Sequence, residues 1–144
     1  MKPIEQTKFS LFYPDGKRAT YGNCLVANIA SILEVSINEV PNIYVFYGME
    51  KKETPIEKQT WFEILNMWLN NKHNKIITKH ELNEPTKSKY VIMRGLSPKD
   101  RAHTCIYENT DEGFLMVHDP HPLTIGLKEL QYYYTIEDMV MTQR

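Results

Sequence analysis

The spacing of apolar residues changes part-way along this chain. From Cys24 onward Leu25, Ile29, Ile32 and Leu33 recur at intervals of three and four, with Ala27 and Ala30 between them. That period predicts a buried helix with Cys24 in its first turn. In "SINEVP", Ser36 stands three residues before Glu39 and Pro41 follows, which predicts one short helix opened by a capping box. "TPIEKQTWFEILNMWLNN" predicts a longer one, with Thr54 as N-cap, Pro55 at the first helical position, Glu57 at the third, and Trp61, Leu65, Trp68 and Leu69 on one face.

Beyond that helix the pattern shortens. "KIITK", "KYVIMRG", "HTCIYE", "FLMVHD" and "LQYYYTIEDMV" are β-branched or aromatic runs bounded by Pro, Gly or Asp, and read as successive strands. "ENTDEG" is of hairpin length and its Gly113 tolerates positive φ, so strands 103–108 and 114–119 are expected to be antiparallel neighbours. The first 20 residues show no sustained period; with Pro3, Pro14 and Gly16 they read as a loop-rich lead-in whose turn is "YPDGKR". Helices first and strands afterwards predict an α+β domain, with helices packed on an antiparallel sheet.

Composition narrows the function. A chain of 144 residues, 42% hydrophobic and 24% charged, suits one globular domain over 1–144 with a core that needs no disulfide staples. Seventeen basic and 18 acidic residues are spread along it, so no basic stripe awaits nucleic acid. No apolar run approaches the roughly 18 residues of a membrane span, and the opening lacks the apolar core of a signal peptide. A cytoplasmic protein is expected, in which the two cysteines stay free.

Cys24 therefore invites two readings. Free cysteine often packs as a small hydrophobe. At a helix N-terminus, however, unpaired amides and the macrodipole favour the thiolate and can receive an oxyanion. His103 and Asp119 tilt the choice, because they stand at the ends of adjacent strands that a hairpin brings side by side. Nucleophile, base and orienter would then come from a helix and two neighbouring strands. Gly22 would let substrate approach the backbone, and His121, stiffened between Pro120 and Pro122, is expected to line the cleft. Asn23 is a favoured N-cap beside the nucleophile and is grouped with them as facing substrate.

With Cys24 opening a helix, followed in order by His103 and Asp119, the chain resembles the papain-like cysteine peptidase superfamily. It also resembles small bacterial and phage members with a Gln-Thr near the start, a Gly-Asn-Cys helix and a His-Asp-Pro-His-Pro element, here "EQTKF", "GNCLVANIASIL" and "HDPHP". The resemblance runs from Gln6 to about Leu127 and implies a papain-like fold. It further implies that Gln6, the only glutamine upstream of Cys24, completes the oxyanion hole once "TKFSLFYPDGKRATYGN" loops out.

His118, Asp119, His121 and His103 can also be drawn as a metal site, but alternation along a strand points His118 and Asp119 to opposite faces, so no metal is expected. Cys105 shares the His103 face and reads as a buried thiol beneath it. Trp61 and Trp68 read as core, and of Tyr132, Tyr133 and Tyr134 one or two are expected to be exposed. The expected activity is hydrolysis or acyl transfer at an amide or other acyl bond of a peptide or small molecule, through a thioester on Cys24 and without a cofactor. The alternative is a non-catalytic protein, such as a phage-encoded inhibitor, that holds a peptide or small molecule in the same cleft.

Overall fold

A computed structural model describes residues 1–140. The chain is α+β, as its periodicity predicts. Two α-helices, α1 (Cys24–Leu33) and α2 (Thr60–His73), precede the strands of the main sheet: β3 (Lys75–Glu81), β4 (Tyr90–Leu96), β5 (Ala102–Thr110), β6 (Gly113–His118) and β7 (Glu129–Asp138). All its pairings are antiparallel, in the order β3-β7-β4-β5-β6. The β5–β6 hairpin forms as expected, with Thr110 opposite Gly113 and Gly113 at φ 111°. No helix among the described residues is long and apolar enough to cross a membrane.

The helices cover one face of the sheet. Val26, Ile29 and Ala30 of α1 and Trp61, Phe62, Leu65 and Leu69 of α2 pack with Ile77, Ile92 and Tyr134 into the larger core. The opposite face has its own smaller core, where Val91, Met93, Cys105 and Tyr133 are covered by Phe114, Leu127 and Leu130. That second layer corrects the expectation for the tyrosines. Tyr133 is buried on one face, Tyr134 on the other, and Tyr132 is half-buried, so none is exposed.

Two further corrections concern helix starts and the lead-in. α2 begins at Thr60, because Gln59 is extended at ψ 147° and separates the helix from a 3-10 turn at 56–58. The Gln59 side chain holds this break: its Nε2 donates to the Thr54 carbonyl (2.8 Å) and its Oε1 accepts from Trp61 Nε1 (2.7 Å). Thr54, the expected cap, thus lies outside the helix. Within the lead-in a short antiparallel ribbon forms between β1 (Leu11–Phe12) and β2 (Arg18–Thr20), closed by the predicted "YPDGKR" turn with Gly16 at φ 87°. The capping box at Ser36 and Glu39 is present, on a 3-10 turn over 37–39.

Candidate active site

Cys24 is the first residue of α1, and the side chain before it does not cap the helix. Asn23 turns away instead. Its Oδ1 accepts the Thr7 and Lys8 amides (3.0 and 2.8 Å) and its Nδ2 donates to Thr7 Oγ1 (3.0 Å). Asn23 is buried and committed to the N-terminal segment, so it neither caps α1 nor faces substrate as expected. The first-turn amides of α1 consequently keep their unpaired hydrogens and their positive potential beside the Cys24 thiol.

The same segment delivers Gln6. The Ile4 amide donates to Ser31 Oγ (2.9 Å), its carbonyl accepts from His118 Nε2 (2.8 Å), and the Gln6 amide donates to the Pro120 carbonyl (2.9 Å). Residues 9–21 leave and return as the ribbon, which brings Gln6 back against Gly22. A Cβ on Gly22 would lie 3.2 Å from Gln6 Nε2 and 3.1 Å from the Lys8 carbonyl, so glycine is needed here first for the chain's own packing. Gln6 Nε2 donates one hydrogen to the Lys8 carbonyl (2.8 Å), while its buried Oε1 has no partner. Gln6, Gly22, Cys24, His103 and His121 all line one cleft of about 1060 Å³.

His103, the second residue of β5, is buried, and its Nε2 lies 2.7 Å from Asp119 Oδ1. Asp119 follows the last residue of β6 and is fixed by two further bonds, from the His121 amide to Oδ1 (2.9 Å) and from the Gly126 amide to Oδ2 (2.7 Å). Burial alone would raise the Asp119 carboxyl, but His103 and these amides hold it down at about 2. Burial likewise opposes charge on His103, yet the bond to Asp119, with those to Cys105 and Cys24, pushes the imidazole up to about 12. The thiol follows the same logic. Burial raises Cys24, and the hydrogen bond and positive charge of His103 outweigh it, so the net displacement is downward. With Nε2 taken by Asp119, Nδ1 is the ring nitrogen left for a thiol.

Two residues not singled out from the sequence complete the arrangement. Thr104, next to His103, stands beside the Cys24 thiol, and its hydroxyl and backbone amide favour the thiolate. Its hydroxyl oxygen in turn accepts from Nδ2 of Asn28 (2.8 Å), which frees the hydroxyl hydrogen for the sulfur. Asn28 is fully buried in α1, one turn after Cys24. A lone asparagine at that spacing in an otherwise apolar or small run was the available signal.

His121 lies edge-on to His103, with ring centroids 6.3 Å apart, and its Nδ1 accepts the Leu123 amide (3.1 Å), which sets Nε2 as its protonated nitrogen. His118 is spent on the Ile4 carbonyl. Among the described residues the remaining metal-capable cluster is His103, Cys105 and Asp119, whose donor atoms lie within 4.8 Å of one another. It does not fit an ion as it stands. Two ligand atoms on one tetrahedral zinc are about 3.3 Å apart, whereas Nε2 and Oδ1 point at each other at 2.7 Å and share a proton. Cys105 is a free thiol beneath His103, and burial pushes it up to about 11.

Comparison of the chain with protein-family models, with curated proteins and with solved structures found no match. Function must therefore be drawn from the geometry.

Proposed function

We propose that this protein is a cysteine-dependent hydrolase or acyltransferase of papain-like type, acting on an amide or related acyl bond. The observation that carries the reading is the buried His103–Asp119 pair and the Cys24 thiol at the uncapped start of α1, with Cys24 and His103 lining one cleft. The Cys24 thiolate attacks the acyl carbon, and the Cys24 amide and the second Gln6 Nε2 hydrogen receive the oxyanion. The C–N bond then breaks, and the leaving nitrogen takes its proton from His103. Water, or an acceptor nucleophile, gives its proton to His103 as it attacks the thioester, and the thiolate departs. Asp119 keeps one imidazole orientation throughout.

The test needs no substrate. In a Cys105→Ala background, alkylation by iodoacetamide should proceed well below pH 9 and retreat upward in His103→Ala, because burial, the largest influence on the thiol, then acts without its chief opponent. At pH 6 the native thiol should react and the variant should react far more slowly. A native profile that is reactive only towards pH 9 would sink the hydrolase reading and leave a cleft that binds a peptide or small molecule without chemistry.

A further inference from the structure

The charge on the cleft walls is one-sided. Among the described residues Arg18, Lys52, Arg94, Lys99 and Arg101 line it and no aspartate or glutamate does, although the chain has 17 basic and 18 acidic residues. Three of the five are guanidiniums set by aromatic rings. Arg18 lies over Phe12 and Tyr21 at 4.8 and 4.6 Å from the ring centres and donates to Ser10 Oγ (2.6 Å). Arg101 lies over the same Phe12 ring at 3.6 Å, and Arg94 over Tyr132 at 5.4 Å. Among the described residues none of the three has a carboxylate within ion-pairing distance.

Arg94 is the informative one. It stands on β4 directly opposite Thr104, the residue beside the Cys24 thiol, and it is half-buried. A guanidinium withdrawn from water without a counter-charge is costly, and it is retained where an incoming anion supplies that charge. Its planar fork suits a carboxylate or phosphoryl group. Asp119, the buried acid of the site, forms no ion pair with Arg94, and three N–H donors already occupy its oxygens.

We propose that the cleft selects acyl substrates bearing a negative charge, with Arg94 as the anchor beside the nucleophile and Arg18 and Arg101 as an outer cationic pair. The proposal rests on the hydrolase reading for the word substrate, but the anion site it describes is testable without it.

The experiment compares iodoacetate with its neutral isostere iodoacetamide on Cys24, in the Cys105→Ala background. Either reagent forms one S–C bond while iodide leaves with the C–I electrons, so only the reagent's charge differs. Relative to N-acetylcysteine, the native protein should favour iodoacetate by about tenfold at low salt, and this preference should shrink at high salt. Arg94→Gln should lower the iodoacetate rate about tenfold and leave the iodoacetamide rate within about twofold. His103 remains charged in that variant, so its own attraction for anions is held constant. Arg18→Gln and Arg101→Gln, at the cleft mouth, should give smaller losses of the same kind.

Equal effects on both reagents, or none, overturn the proposal. If the thiol proves ordinary, or Arg94→Gln does not fold, protection of native Cys24 from iodoacetamide by succinate or inorganic phosphate decides. Protection by succinate identifies a carboxylate site and by phosphate a phosphoryl site, and protection by neither at about 10 mM refutes an anion site.

Discussion

One hydrogen of the Gln6 carboxamide is spent on the Lys8 carbonyl, and the other is what makes this residue chemically interesting. An oxyanion donor stabilises charge that develops only during acyl transfer, so its removal should be invisible to a displacement that creates no oxyanion. Gln6→Ala is therefore expected to slow the acylation burst with p-nitrophenyl acetate roughly 100-fold while leaving the iodoacetamide rate nearly unchanged. A parallel fall in both rates would show that Gln6 merely supports the thiol. At this scale the sequence was informative about identity and silent about partners. Cys24, His103 and Asp119 could be named because each stands at the end of an element, where local signals fix position. The fate of the Asn23 side chain could not, because its partners Thr7 and Lys8 are 16 and 15 residues away and nothing local distinguishes a cap from a clasp.

Helix α1 meets β5 through the Asn28–Thr104 bond, and that contact reaches the sulfur. Thr104→Val removes the hydroxyl hydrogen that favours the thiolate and keeps the backbone donor. The midpoint of the Cys24 alkylation profile should accordingly move upward, by less than in His103→Ala. The stranded Asn28 amide should cost about 1 to 3 kcal/mol in denaturant unfolding. A midpoint that stays put would mean that Thr104 packs against the thiol without influencing its charge. The elements themselves were largely legible, since helix and strand periods differ sharply and the β5–β6 register follows from one turn as far as Tyr107, beyond which it shifts by one residue. The start of α2 was not. Thr54, Pro55 and Glu57 form a sound local cap signal, but the Gln59 side chain bonds both sides of a break at that point, and a tertiary arrangement of this kind overrides propensity.

The fold as a whole is coupled to pH through the buried pair. Asp119 titrates near 2 in the folded chain against an ordinary 3.8. A depressed carboxyl contributes stability above its unfolded pKa and loses it as pH falls through its folded one. Native stability should thus decline between about pH 4 and pH 2 by about 2 kcal/mol, and Asp119→Asn should flatten that slope in urea titrations at fixed pH. An unchanged slope would place the acid sensitivity elsewhere. His103 has the opposite sign: its share is complete below pH 6.5 and disappears as pH rises towards 12. Segregation of helices from strands could be read along the chain, but the strand order could not. β7 enters between β3 and β4, and Gly95 permits this because a Cβ there would meet the Glu129 carbonyl at 2.0 Å, a constraint visible only once both strands are in place. The β1–β2 ribbon has a consequence on this same scale. It departs after Lys8 and returns at Gly22, two points already in contact, while Gln6 and Cys24 are anchored by groups outside it. Phe12 and Arg18 ride on the ribbon. The ribbon thereby carries only part of the rim of the proposed anion site, apart from the proposed nucleophile, base and Arg94 anchor, and is a cassette whose exchange would retune selectivity at the rim and leave the rest in place.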